Sequence, residues 1–150
     1  MKWVTRERPK IDRVACPWLI ARFIDTDPEF LYVPAPRVFD VARDHDAIPY
    51  DIPGAELSHV GDLCSFDAFL KMYALDEPAL HTLATIVRGA DTSRLELAPQ
   101  SAGLYAISLG LSHNFSDDHA MLEHAMPIYD ALYSWCRACQ GETHNWPPQT

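Results

Sequence analysis

The side chains that could do chemistry crowd into one stretch, PGAELSHVGDLCSFD, running from Pro53 to Asp67. It holds Glu56, His59, Asp62, Cys64 and Asp67 between a Pro-Gly turn and the start of a helix. A loop held by rigid elements is a natural seat for a reactive site. Glu56 and His59 form an E-x-x-H pair, and on a helical turn i and i+3 share a face, as metal ligands do in carboxylate bundles. A second group opens the last predicted helix: Asp117, Asp118, His119 and Glu123. Asp118 heads the apolar stripe of Leu122, Ala125 and Tyr129, so it requires a partner, because an unpaired buried charge is very costly. That partner is an arginine or a metal, unless Asp117 or Asp118 simply caps the helix. Asp91, just past Gly89, is the third candidate. Should the helix ends converge, Glu56, His59, Asp91, Asp118 and His119 would offer mixed nitrogen and oxygen ligands suited to iron, manganese or zinc.

The N-terminal segment carries a different chemistry. Residues 1–24 contain Lys2, Arg6, Arg8, Lys10, Arg13 and Arg22 against Glu7 and Asp12, a balance of +4. The chain as a whole is at -9, so the remainder sums to -13. This acidity argues against nonspecific nucleic-acid binding. The N-terminal cations, Arg6, Arg8, Arg13 and Arg22 among them, can hold a small anion or pair with the body's own carboxylates. Pro17 favours a first helical turn and predicts a helix from Pro17 to about Asp25. Cys16 would then lie at the N-cap, where free N–H groups and the helix dipole favour a thiolate, making it a candidate redox thiol. Buried beside Trp18 it would instead be inert. Cys136 and Cys139 form a C-x-x-C without a second pair, and read as ordinary helix-end thiols.

These groups must be positioned by one domain. The sequence predicts short strands at Lys2–Thr5, Phe30–Val33 and Ile48–Ile52, with a short helix at Val38–Arg43 between the last two. Four helices follow: from Ser65, with Phe66, Phe69, Leu70 and Tyr73 spaced for one face; from about Asp76 to a stop at Gly89; from Pro99 to Leu111; and from Asp117 to Cys136. The expected fold is α+β, a helix-rich single domain with a small two- or three-stranded sheet near the N-terminal half. It covers 1–139, and 140–150 reads as a loosely ordered tail. No apolar run approaches the ~20 residues of a membrane span. The charged N-terminus has no hydrophobic segment after it, so a cytoplasmic protein is expected.

Several segments, WVTRERPKIDRVACPWLIARFID, HVGDLCSFDAFL, IVRGADT, AISLGLS and DDHAMLEHAMPIYDALYSW, occur in the order found in a known family. Over about residues 3–137 the chain resembles the C-terminal domain of the chromate-resistance protein ChrB. The regulatory members of that family carry an additional N-terminal region associated with DNA binding, which these residues do not match. The resemblance implies a chromate-resistance accessory or sensor domain, part of a stress response, with a small anion such as chromate as its partner. It supplies no catalytic assignment. Three functions follow as alternatives: a domain binding an oxyanion or a metal without turnover, a small metal-dependent redox or hydrolytic enzyme, and a structural interaction module. Self-association into a homo-oligomer is compatible with each.

Overall fold

In the computed structural model, which describes residues 1–144, the expected α+β architecture is present: a small sheet in the N-terminal half and a helical C-terminal half. Three strands, β1 (Lys2–Arg6), β2 (Glu29–Val33) and β3 (Ala47–Pro49), form a parallel sheet in the order β2-β1-β3. Trp3 pairs with Phe30 on one side and Ile48 on the other. Successive residues of a strand face opposite ways, and β1 uses both faces. Trp3 enters the main core with Trp18, Phe66 and Phe69, while Val4 joins a smaller core with Val38, Val41 and Ile52. The second core is closed by α2 (Val38–His45). A central strand buried on both faces suits a parallel sheet.

The crossover from β1 to β2 contains α1 (Asp12–Leu19) followed by a wider π-type turn, Ile20–Ile24. This helix begins at Asp12 and not at Pro17, so Pro17 lies inside it. The earlier start has a physical origin. Pro17 removes one backbone donor, but six positions into a short helix the loss is confined to one turn. Cys16 is consequently a mid-helix residue, fully buried. The remaining helices are α3 (Ser65–Met72), α4 (Pro78–Asp91), α5 (Ser101–Asn114) and α6 (Asp118–Ser134). Cys64, rather than Ser65, is the cap residue of α3, and the Asp67 carboxylate accepts its backbone N–H at 3.0 Å. Of the expected C-terminal tail, residues 145–150 lie outside the described part.

Gly89 does not stop α4, which continues to Asp91. It is instead the point where the start of α5 comes close: a Cβ there would collide with Ser101 Oγ and lie 2.9 Å from the Arg94 carbonyl. Ser101 cannot simply rotate away, because its buried hydroxyl donates to the Ile86 carbonyl at 2.9 Å. Gly89→Ala is therefore expected to destabilise by about 1–3 kcal/mol despite its better helix propensity. A chemical melt of this variant equal to or above that of the wild type would contradict the crowding.

Candidate functional site

Four side chains from separate parts of the chain meet beside the N-terminus of α1: Asp12, Asp51, His59 and Asp91. Asp12 is the first residue of α1, and Asp91 the last of α4. Asp51 and His59 belong to the segment between β3 and α3, which is not helical. His59 Nε2 lies 3.0 Å from Asp91 Oδ2, 3.3 Å from Asp51 Oδ1 and 3.5 Å from Asp12 Oδ2. A ring nitrogen has one proton to give, so three carboxylate oxygens are aimed at a point where one can be served. Asp12, His59 and Asp91 each offer a ligand atom within 4.8 Å of the others. Two ligands each ~2.1 Å from a common ion, at tetrahedral or octahedral angles, are roughly 3.0–3.4 Å apart; the separation from His59 to Asp91 falls in that range and the one to Asp12 lies just beyond it.

The chain invests in this geometry. Asp12 is wholly buried, and its carboxylate accepts the backbone N–H groups of Ser65 at 2.6 Å and Phe66 at 3.0 Å. It thereby serves the unpaired donors at the N-terminus of α3, where a negative charge is favoured. Cys16 Sγ donates to its other face at 3.3 Å. Asp51 accepts the Ser65 hydroxyl at 2.7 Å and is flanked by Arg6 and Arg13, at 3.3 and 3.4 Å. The backbone is strained at the same place. Ile11, Asp51 and Ser93 have φ of 47°, 48° and 56°. For a β-branched residue such as Ile11 a positive φ is a true outlier. Strain of this kind persists where surrounding structure enforces it, most often at functional sites. Ile11 is enforced by its buried carbonyl, which accepts the Tyr129 hydroxyl at 3.1 Å and the Ala15 N–H at 2.7 Å.

The charges respond to each other. Hydrogen bonding to Asp12 and Asp51 raises the His59 pKa to about 10. Burial, reinforced by Asp12 and Asp51, raises that of Asp91 to about 7. Burial likewise pushes Asp12 up, opposed by His59 and Cys16. Burial also acts to raise Asp51, but His59, Ser65 and the two arginines outweigh it and hold the carboxyl below its ordinary value. The site thus carries protons at neutral pH that a bound cation would displace.

A cleft of about 300 Å³ opens beside this cluster, reaching Asp51, His59 and Asp91 at its base. Arg6, Lys10, Arg13 and Tyr105 line it as well. The buried Arg6 Nε has no hydrogen-bond partner. Of the four expected anion ligands, Arg6 and Arg13 are therefore at the cleft. Arg8 is spent on the carbonyls of Ser112, Phe115 and Ser116, at 2.6–2.9 Å, where it closes the end of α5. Arg22 forms a two-pronged pair with Asp130, both contacts 2.9 Å.

The expected metal ligands divide in the same way. His59 and Asp91 come together. Glu56 is exposed and lines a different cavity with Val60, Leu63 and Met72, because the loop turns instead of coiling and the i, i+3 relation does not apply. Asp118 accepts the Arg8 backbone N–H at 3.1 Å and lies 3.9 Å from the Arg8 guanidinium, so its partner is an arginine, though not one that brings it to His59. His119 packs edge-on against Tyr32, with ring centres 5.3 Å apart. Cys16 donates to Asp12, and burial together with Asp12 pushes its thiol well above the ordinary range, which keeps it protonated. Asp12 and Asp51 were not singled out from the sequence. For Asp12 the available signal was an aspartate at the first position of a helix, hidden by placing that helix start at Pro17.

Comparison with known proteins gives a consistent picture. The model of the ChrB C-terminal domain family matches residues 3–136. Protein ChrB of Cupriavidus metallidurans (strain CH34) is 34% identical over 134 residues, which cover 89% of this chain and 40% of that protein. The chain thus spans less than half the length of that relative. No solved structure matches.

Proposed function

The chain belongs to the ChrB C-terminal domain family, and from that premise we propose that it serves chromate resistance as a metal-binding domain with an adjoining seat for a small oxyanion. The observation that carries this reading is the convergence of three carboxylates on one imidazole nitrogen, at 3.0–3.5 Å. Asp12, His59 and Asp91 would hold the cation, and Asp51 would orient His59 from the side. Nitrogen and oxygen ligands without a thiolate suit manganese, iron or zinc. Arg6, Lys10 and Arg13 give the adjoining cleft its positive wall, and an oxyanion there would meet both guanidinium donors and the cation.

Metal analysis of freshly purified protein, followed by calorimetric titration with Mn²⁺ and Zn²⁺, tests the reading. One ion per chain is expected, lost in His59→Ala and retained in Glu56→Ala and His119→Ala. A protein indifferent to both ions would overturn it. The anion seat has a separate test. Chromate or sulfate should raise the melting temperature of the metal-loaded protein, and Lys10→Ala, which alters an exposed side chain, should shrink that rise without shifting the melt of the anion-free protein.

A further inference from the structure

Helix α5 buries Leu104 together with two serines, Ser101 and Ser108, whereas Tyr105, Ile107 and Leu109 are 39%, 47% and 37% exposed. Ser101 Oγ is satisfied by the Ile86 carbonyl, so the inward polar groups are placed, not misplaced. A helix that is apolar on its solvent side is expected to be covered by something.

We infer that α5 is a self-association surface, through which two copies of this chain pair about a two-fold axis near Ala106. Charge selects a second copy as the occupant. The chain carries -9 overall, so most pairings of two copies repel. The fourteen residues of α5 contain no Asp, Glu, Lys or Arg, whereas each of the other five α-helices contains at least one. Two identical neutral stripes can meet without opposing charge. The outward face is also self-complementary. Gly103, Ala106 and Gly110 follow helical spacing along it, and nothing lies within 4 Å of where a Cβ of either glycine would stand. An antiparallel two-fold arrangement sets Gly103 against the partner's Gly110 and the reverse. The backbones can then approach closely, with Ile107 and Leu109 packing on either side. A fourteen-residue helix is only about 21 Å long, short of the ~800 Å² per partner of a standard interface. The pair should therefore be a dissociable dimer, not an obligate one.

Sedimentation velocity of the full chain across a wide concentration range reads the proposal directly. A monomer–dimer equilibrium is expected. Ile107→Glu should weaken it by about tenfold or more while leaving the circular dichroism spectrum and melting temperature unchanged. Ala106→Cys should form a disulfide-linked dimer under mild oxidation, and Glu123→Cys on α6 should not. A protein that stays monomeric at several hundred micromolar overturns the proposal and leaves the face for a different protein. A dimer that Ile107→Glu does not weaken, or that Ala106→Cys does not capture, assembles through another surface and overturns it equally.

Discussion

Asp12→Ala is expected to lower the unfolding free energy by about 3–5 kcal/mol and to abolish divalent-metal binding. Two separate debts of the fold fall on this carboxylate. It satisfies the backbone N–H groups of Ser65 and Phe66 at the start of α3 and accepts the Cys16 thiol. Truncation would strand these buried donors and leave a void at a fully buried position. Asp12→Asn keeps the volume but must point an amide N–H toward one of those donors, so it should recover only part of the loss. Asp91→Asn provides the contrast. Its carboxylate is ionised against opposition from burial and from Asp12 and Asp51, so a neutral amide should leave the metal-free protein as stable or more stable at pH 8. It should still remove metal binding. Urea melts and calorimetric titration of the three variants separate the structural role of Asp12 from the ligand role it shares with Asp91. Full metal affinity in Asp12→Ala, or a loss below 1 kcal/mol, would contradict the assignment.

The difference between Asp12 and Asp91 also explains what could be read from sequence. The strands, α2, α4 and α6 follow from β-branched runs, prolines and 3–4 spacing, all local signals, and the structure places them within a few residues of expectation. His59 and Asp91 were recognisable because each is a ligand-type side chain next to an obvious break in regular structure. Asp12 was hidden by Pro17: a strong local rule for proline in the first turn outweighed the weaker preference for aspartate there. In the fold, burial of Trp18 and Leu19 against the core extends α1 back over five more residues, because tertiary packing overrides local preference. Asp51 carried no local mark at all. Its role depends on a positive φ and on Arg6 and Arg13 arriving from elsewhere. Glu56 and Asp118 failed to join His59 for the converse reason. Spacing assigned them a face, but the first lies in a non-helical loop and the second is claimed by the Arg8 main chain and guanidinium. Composition alone does not tell which apolar residues of α5 point away from the core: Leu104 is buried, whereas Ile107 and Leu109 are exposed.

Metal-free protein should lose stability as pH rises from 5.5 to 8.5, and bound metal should reverse that slope. The folded pKa of Asp91, about 7, lies above its ordinary 3.8. The folded state therefore holds this proton more tightly than the unfolded chain, and that contribution, complete below pH 3.8, is lost as pH climbs through 7. His59 adds to the trend: raised from 6.5 to about 10, it stabilises fully below 6.5 and progressively less above. Its imidazole is 41% exposed, so solvent screening weakens that part. Asp51, held below 3.8, works in the opposite sense, but only under acid conditions outside this window. A metal ion requires the deprotonated forms of Asp91 and His59, so its stabilisation grows with pH. The melting temperature of the metal-free protein is expected to fall by on the order of 5 °C across the interval, since 1 kcal/mol moves a domain of this size by roughly 2–4 °C. The increment from saturating Mn²⁺ should widen over the same interval. In Asp91→Asn the first slope should flatten and the second disappear. A metal-free melt that rises with pH, or a metal increment indifferent to it, would mean that these carboxylates and His59 do not share one proton-coupled site.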